Sequence, residues 1–350
     1  MLKYALSALF AALAVPVSAA QLHFDLSQYD PGQSPTGFVS VVSGEGHPGD
    51  WKIVDDQIPP LMPASGSNAP ALLRGHALAQ TARDQTDEHF PILLYTNEPF
   101  GDFTLTTHFK TVAGIKEQMA GIAFRCQDAR NFYVVRASVL GGNLRFYKVV
   151  GGMRSVPVGV DLPIATGVWH ELKIQCVGNQ IRCFLDGAEP MPAITDSSFT
   201  TGKIGYWTKS DSEVHFVDTT IDYTRLVPLA QRLVDEAIKK YPRLLGVAVF
   251  TCKDGGQPRI IASNHPEEVG AAGGQTETDT LQKGTAFHTQ DDKFVAITLP
   301  LRDRNGEIAV ALRVTMIPRV TETKESALAR ALPIQKGMET QMQSMRSLDQ

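Results

Sequence analysis

The chain has 350 residues, of which 43% are hydrophobic and 20% are charged, with 29 glycines and 21 prolines. This balance is typical of soluble globular proteins and excludes a disordered or fibrous chain. At ~100–200 residues per domain, the length predicts two folded domains. The formal net charge of −4 gives no electrostatic basis for binding nucleic acid or an anionic membrane, so we expect neither as a partner.

Residues 1–20 have the pattern of a secretory signal peptide. Lys3 supplies a positive charge, residues 5–17 form an apolar run, and three small residues suited to a signal peptidase follow. The alternative, a membrane anchor, needs ~20 apolar residues, and neither this run nor any later one reaches that length. The sequence therefore predicts a secreted or periplasmic protein that begins near Gln21 and has no transmembrane span.

From residue 21 to residue 226 the pattern is that of β-strands. Short alternating runs recur between Gly-Gly, Gly-Asn and Asp-Gly turns, and no helical period of useful length lies among them. The clearest runs are Phe103–Lys110, Gly121–Arg125, Phe132–Ala137, Leu144–Val150, His170–Cys176, Ile181–Leu185, Lys203–Lys209 and Val214–Asp222. We therefore expect residues 21–226 to fold as an antiparallel β-sandwich.

Two of the four cysteines can be placed on a predicted hairpin. The four are Cys126, Cys176, Cys183 and Cys252, and none forms a C-x-x-C pair that would indicate zinc binding or redox chemistry. A two-residue turn at Gly178-Asn179 would pair Cys176 with Ile181. Cys183 would then be a diagonal neighbour of Cys176, ~7–8 Å away at Cα and beyond easy disulfide reach. We predict two small buried thiols, with a disulfide as the minor alternative.

The second predicted domain, residues 227–350, mixes helices with strands. Residues 227–240 carry apolar side chains at helical spacing. Four strands should follow: Leu244–Thr251, Pro258–Ser263, Lys293–Leu299 and Glu307–Met316. A last helix is predicted over residues 324–348, interrupted at Pro333 and Gly337. This order is typical of a separate α+β domain.

Five segments of the first domain resemble one family when taken in order. They are Gly121–Arg125, Asp128–Ala137, Gly167–Lys173, Phe184–Gly187 and Gly205–Ser212. Together they resemble the concanavalin A-like (laminin G-like) jelly rolls grouped with 3-keto-disaccharide hydrolases and family 16 glycoside hydrolase-like domains. The resemblance implies a jelly-roll sandwich, a scaffold that carries both carbohydrate-binding proteins and enzymes.

Three segments of the second domain have a resemblance of their own. Arg259–Asn264, Lys283–Phe287 and Leu299–Gly306 resemble extracytoplasmic Cache (PAS-like) sensor domains. The resemblance implies a small-ligand pocket on one face of the sheet. Because the sequence lacks the transmembrane helices of a receptor, the resemblance does not extend to signalling through a membrane.

The motifs of several enzyme classes are missing or lie in the wrong context. Retaining family 16 glycosidases need E-x-D-x-x-E, with two carboxyl groups ~5–5.5 Å apart, and no predicted strand carries it. Glu277 and Asp279 lie in a polar stretch of the second domain, where we expect a solvated turn. The G-x-G-x-x-G at residues 44–49 precedes a predicted strand, whereas a dinucleotide site needs a helix. The nine histidines form no H-E-x-x-H or H-x-H, so their spacing points to no metal site, and a site assembled from distant residues stays open. The sequence identifies no cofactor.

Polar and aromatic side chains on three predicted strands form the candidate ligand site. Alternation places Arg125, Arg136 and Lys209 on faces away from the core, with Trp207 on the same face as Lys209. Because a buried unpaired cation is costly, these cations should face water or a partner. On a concave sheet they would donate hydrogen bonds to sugar hydroxyls, and Trp207 would support a pyranose ring. The alternative is that they are solvated and paired with neighbouring aspartates.

Three functions stay open on this basis. The first is a carbohydrate-binding protein, whose jelly roll takes a sugar-like ligand and is fused to a ligand-sensing domain. The second, implied by the family resemblance, is an enzyme that acts on 3-keto-glycosides, which needs one base and one oxyanion stabiliser instead of a carboxylate pair. The third is a non-catalytic interaction module. We rank the binding protein first because no residue set identifies a base.

The signal-peptide hypothesis predicts the mature amino terminus. Expressed with its own leader in a secreting bacterial host, the protein should be recovered outside the cytoplasm with an amino terminus near Gln21, because a peptidase cleaves after small residues. Intact-mass spectrometry measures this. A mature protein that still begins at Met1 would contradict it.

Overall fold

The structure, a computed structural model, describes residues 19–60, 72–252 and 256–342. The predicted signal peptide, apart from its last two residues, lies outside the described residues, as does the end of the predicted last helix. The chain divides into two compact units, Met1–Leu226 and Val227–Gln350. In the described part of the chain, no helix is long and apolar enough to cross a membrane.

The first unit consists of two antiparallel sheets. In spatial order, the strands of the first sheet are β14 (Ile194–Thr195), β13 (Gln180–Leu185), β12 (His170–Val177), β6 (Phe103–Ala113), β16 (Glu213–Thr224), β4 (Leu73–Gln80) and β3 (Trp51–Ile58), and β1 (Ala19–His23) also pairs with β16. Those of the second sheet are β10 (Met153–Arg154), β9 (Asn143–Val150), β8 (Asn131–Ser138), β7 (Met119–Asp128), β15 (Lys203–Thr208), β5 (His89–Tyr95) and β2 (Phe38–Gly44), and β11 (Val158–Asp161) also pairs with β9. The predicted antiparallel sandwich is confirmed.

An apolar layer between the two sheets forms the main core. Leu105 and Phe216 come from the first sheet, and Ile122, Phe124 and Tyr206 come from the second. Each is at most 3% exposed. Burial of one such side chain stabilises the fold by about 1.5–3 kcal/mol. Because neighbours along a strand point to opposite sides, these residues also decide which side chains the second sheet turns outward.

The predicted cysteine hairpin is confirmed. Cys176 pairs with Ile181 and Ile174 pairs with Cys183 across β12 and β13. Both cysteines are buried free thiols in the core between the sheets. Burial raises the pKa of Cys176 to about 12, so this thiol stays protonated at neutral pH. The two cysteines act as small apolar residues.

The second unit is a five-stranded antiparallel sheet with helices on both faces. The strands lie in the order β18 (Arg259–Ser263), β17 (Leu244–Thr251), β21 (Ile308–Met316), β20 (Val295–Arg302) and β19 (Phe287–Gln290), and the helices are α1 (Leu229–Lys240), α2 (Gln275–Lys283) and α3 (Lys324–Glu339), with a 3-10 turn at Pro266–Glu268. Helices α1 and α3 pack on the face that carries Val247 and Val249. Leu281 of α2 packs with Ala248 and Phe250 of the opposite face.

Two expectations for the second unit are wrong. Glu277 is in helix α2 and only 2% exposed, not in a solvated turn. Its carboxylate accepts hydrogen bonds from Arg313 at 2.5 Å and from the backbone N–H of Gly274 at 2.8 Å, which begins the helix. Helix α3 is also not interrupted, because Ile334 and Met338 pack into the apolar cluster and hold it continuous through Pro333.

The ion pair between buried Glu277 and part-exposed Arg313 gives a stability prediction. Glu277→Ala should lower the unfolding free energy of the second unit by about 1–3 kcal/mol, because it removes hydrogen bonds to charged groups. Urea unfolding of the full chain by far-UV circular dichroism measures this. All three tryptophans lie in the first unit, so the tryptophan fluorescence transition should not move.

Asp279→Asn is the matched control on the same helix. Asp279 forms an i,i+4 pair with Lys283, whose side chain is 61% exposed, and accepts a hydrogen bond from Gln275 on the same helix. Such exposed pairs contribute little. An unfolding curve of Glu277→Ala that matches the control would contradict a stabilising role for the hydrogen bonds of Glu277.

Candidate functional site

A pocket of about 90 Å³ lies on the outer face of the second sheet, opposite the core. Its lining residues are Ser43, Phe90, Met119, Phe132, Val134, Arg136, Tyr147, Val149, Gly152, Arg154, Trp207 and Lys209. We call this the outer-face pocket. One water needs ~10–15 Å³ of such space, so the pocket has room for several waters or for part of one sugar ring.

Strand register brings the predicted residues together. Arg136 on β8 pairs with Gly121 on β7, and Gly121 pairs with Trp207 on β15. The three residues therefore form one row across the sheet. A Cβ at position 121 would lie 2.9 Å from the Cβ of Arg136. Glycine at this position leaves the space that the arginine side chain occupies.

Aromatic and aliphatic side chains form the floor of the outer-face pocket. The rings of Trp207 and Phe90 stack with centroids 5.6 Å apart and an interplanar angle of 16°. Phe132, Val134 and Val149 extend the same cluster. Trp207 is only 3% exposed. Because the indole is almost covered, it belongs to the floor and is not the open platform that we expected.

Lys209 is fixed by two carboxylates. Its Nζ donates hydrogen bonds to Glu117 Oε1 at 2.8 Å and to Asp87 Oδ1 at 2.9 Å. Burial disfavours the charge, but the bonds to Glu117 and Asp87 outweigh it and raise the pKa of Lys209. The ammonium group is therefore charged at neutral pH and already paired.

Arg136 is held by neutral groups. Its Nη1 donates to Asn143 Oδ1, and its Nη2 donates to the hydroxyl of Tyr147 at 3.1 Å. The guanidinium also lies over the Tyr147 ring, 5.6 Å from the centroid. Burial lowers the pKa of Arg136, which is 7% exposed. Because the pKa of an arginine side chain in solution lies far above neutral pH, the guanidinium nevertheless keeps its charge at pH 7.

Arg154 lies at the mouth of the outer-face pocket. Its guanidinium is 4.8 Å from the Phe90 centroid and 5.7 Å from that of Tyr147. Its Nη2 donates to Glu88 Oε1 at 2.6 Å. The side chain therefore covers part of the aromatic floor while its charge is paired.

The structure does not bring Arg125 to this pocket. Its backbone φ of 47° marks a bulge where strand pairing shifts, so the expected alternation ends at this residue. The side chain is 1% exposed and donates hydrogen bonds to the carbonyl oxygens of Phe199, Gly101 and Gly178 at 2.8–3.2 Å. The expectation that Arg125 faces water or a partner is wrong, because three loop carbonyls bind it inside the unit.

The described residues contain neither a grouped metal-binding set nor a dinucleotide-binding turn before a helix. No three His, Cys, Asp or Glu side chains there are grouped to hold a metal ion. The G-x-G-x-x-G at residues 44–49 leads into strand β3 (Trp51–Ile58) and not into a helix. The outer-face pocket can therefore offer an apolar floor, aromatic faces and hydrogen-bond donors to a ligand.

The paired ammonium of Lys209 gives a second stability prediction. Lys209→Met should lower the unfolding free energy of the first unit by about 2 kcal/mol at pH 7, since it leaves Glu117 and Asp87 without their donor. A raised lysine pKa stabilises the fold below the unfolded value of ~10.4, and the effect is lost as pH rises through the folded value. The deficit should therefore shrink at pH 11.

Urea unfolding followed by tryptophan fluorescence measures this deficit at both pH values. Lys52→Met is the control, because Lys52 forms an exposed pair with Asp50 and should change stability by less than about 0.5 kcal/mol. A deficit equal to that of the control at pH 7 would contradict the assignment.

Comparison with known structures gives several similar folds. The carbohydrate-binding module CBM66 from Bacillus subtilis is 20% identical, with 53% of this chain and 96% of that chain covered and a TM-score of 0.40. A protein of unknown function with a galectin-like fold, also from Bacillus subtilis, is 12% identical over 51% of this chain and 91% of that chain, with a TM-score of 0.34. The galectin LEC-6 from Caenorhabditis elegans is 9% identical over 43% and 91%, with a TM-score of 0.27.

No curated protein matches the chain. A family of sequences does match it, over residues 23–222, which is more than half of the 350 residues and includes every strand of the outer-face pocket. This chain therefore belongs to the family of 3-keto-alpha-glucoside-1,2-lyase-like domains.

Proposed function

We propose that the protein binds a carbohydrate in the outer-face pocket. The observation that carries the proposal is the combination of stacked Phe90 and Trp207 rings with the donors of Arg136 and Tyr147 in one small cavity. Aromatic rings pack against the apolar face of a sugar, and a few fixed polar groups orient its hydroxyls. Half-buried Tyr147 presents the aromatic surface at the mouth of the pocket. Membership in a family named for a glucoside supports a sugar ligand.

The second candidate is an enzyme that acts on 3-keto-glycosides, which the family name favours. Such a reaction begins by removing a proton next to a carbonyl, and the enolate needs a stabilising donor. Charged Lys209 suits the donor role but cannot take up a proton. Glu117, the nearest carboxylate, already accepts a hydrogen bond from Lys209. Because the pocket has no free base among its described residues, we place binding first.

We propose secretion or a periplasmic location on the basis of the predicted signal peptide. We propose a Cache-like, ligand-sensing role for the second unit, supported by its five-stranded antiparallel sheet with helices on both faces. The net charge of −4 supports our expectation that nucleic acid is not a partner.

The carbohydrate proposal predicts ligand-induced stabilisation of the full chain. A set of oligosaccharides and 3-keto-glucosides should include one that raises the melting temperature by a few degrees, since ligand at 100 Kd adds about 2.7 kcal/mol. Tyr147→Ala should weaken binding of that sugar by at least about tenfold because it removes the half-buried ring at the mouth of the pocket. Phe184→Ala is the control, since Phe184 is a half-buried ring on a strand of the other sheet.

Product analysis of each hit separates the candidate functions. Stabilisation without product supports the binding protein, and stabilisation with cleavage supports the keto-glycoside enzyme. If no sugar or keto-sugar stabilises the chain, carbohydrate binding is wrong and an interaction module takes its place. An equal effect of Tyr147→Ala and Phe184→Ala would move the site away from the outer-face pocket.

A further inference from the structure

We infer that the carbohydrate bound in the outer-face pocket is acidic, carrying the carboxylate of a uronic acid, and that Arg136 binds this carboxylate. The inference rests on the proposed function and names the class of its ligand. The cations that line the pocket differ in whether a carboxylate of the protein is in direct contact with them.

Two of the three cations in the outer-face pocket have carboxylate partners. Lys209 is paired with Glu117 and Asp87, and Arg154 is paired with Glu88. Arg136 has none, since among the described residues no Asp or Glu oxygen lies within 4.0 Å of its guanidinium. It is also the most buried of the three side chains, with 7% of the residue exposed. The pocket therefore contains one buried positive charge with no carboxylate in direct contact among the described residues. Glu117 acts on it only from beyond 4.0 Å and is already bound by Lys209.

The hydrogen bonds of Arg136 leave room for an anion. A guanidinium has five N–H groups in a planar fork. The neutral acceptors Asn143 and Tyr147 use one bond each at Nη1 and Nη2. Both acceptors orient the fork without neutralising it. A carboxylate fits such a fork through two parallel hydrogen bonds, which are stronger than bonds to a hydroxyl.

Arg125 is a second buried arginine of the first unit, and the protein itself compensates its charge. Three backbone carbonyls surround its guanidinium, and Asp102 lies 3.6 Å away as a counter-ion. It does not line the outer-face pocket. Arg136 differs from it in three ways: among the described residues its acceptors are one side-chain amide and one hydroxyl, no carboxylate is in direct contact with it, and it lines a cavity. Burial of an uncompensated charge is unfavourable. A ligand carboxylate that pairs with Arg136 would compensate this charge.

The test compares acidic and neutral sugars on the full chain. Oligogalacturonates and methyl β-glucuronide are titrated by calorimetry beside their neutral counterparts, galacto-oligosaccharides and methyl β-glucoside. The acidic member of at least one pair should bind at least about tenfold more tightly than the neutral one. Arg136→Gln should remove this preference, and Arg136→Lys should restore part of it, because a point charge keeps attraction but loses the fork.

Asn143→Asp provides a second variant that does not depend on removing a buried side chain. The new carboxylate would stand beside Nη1 of Arg136 and supply the counter-ion within the protein. It should weaken binding of the acidic sugar by at least about tenfold while leaving the neutral sugar within about threefold. Arg74→Gln, on an exposed arginine of the first sheet, should change neither affinity.

The outcomes separate this inference from the proposed function. If a neutral sugar binds as tightly as its acidic counterpart, and Asn143→Asp affects both equally, the acidic ligand is wrong while carbohydrate binding stands. If no sugar of either kind binds the wild-type chain, both are wrong. A preference for acidic sugars that Arg136→Gln and Asn143→Asp leave intact would overturn the role of Arg136.

Discussion

The apolar layer between the two sheets fixes everything that the first unit presents on its outer faces. Tyr206 packs in this layer against Phe216, with ring centroids 4.8 Å apart, and its hydroxyl donates to Thr219 Oγ1 at 2.8 Å. Because Tyr206 points inward, Trp207 must point outward. A slip of one residue would place Trp207 in the layer and expose Tyr206, so the core strongly disfavours any other register. The outer-face pocket is a consequence of how the core packs.

Alternation is also the reason why much of this unit could be predicted from the sequence. The cysteine hairpin needed only a two-residue turn and two alternating runs, and Cys176 pairs with Ile181 as expected. Three of the four candidate site residues, Arg136, Trp207 and Lys209, line one pocket. Tyr147 was missed although the same reasoning could have found it, since it lies on a predicted strand opposite Val134. Its role depends on the pairing of strands and not on a motif.

What the sequence did not reveal has a physical cause in each case. The bulge at Arg125 comes from a left-handed backbone angle that no local residue pattern announces, so the alternation predicted the wrong environment. Glu277 lies in a polar stretch with weak helical periodicity, and its burial depends on Arg313, 36 residues later in the chain. The partners of Lys209 likewise come from other strands and loops, Asp87 and Glu117. Ion pairs between residues far apart in the chain cannot be predicted from the pattern of a single segment.

Four buried or partly buried cations of the chain differ in how their charge is compensated. Arg125 is surrounded by carbonyl oxygens, and Lys209 is bound by two carboxylates, so each charge is compensated inside the protein. In the second unit, Arg313 lies over the ring of Phe250 and is bound by buried Glu277. The charges of these three residues are compensated within the protein without a ligand. Arg136 has the aromatic contact but no carboxylate in direct contact among the described residues, and it lines the pocket. A neutral side chain there would avoid the cost of burying a charge, so stability alone does not account for an arginine at this position.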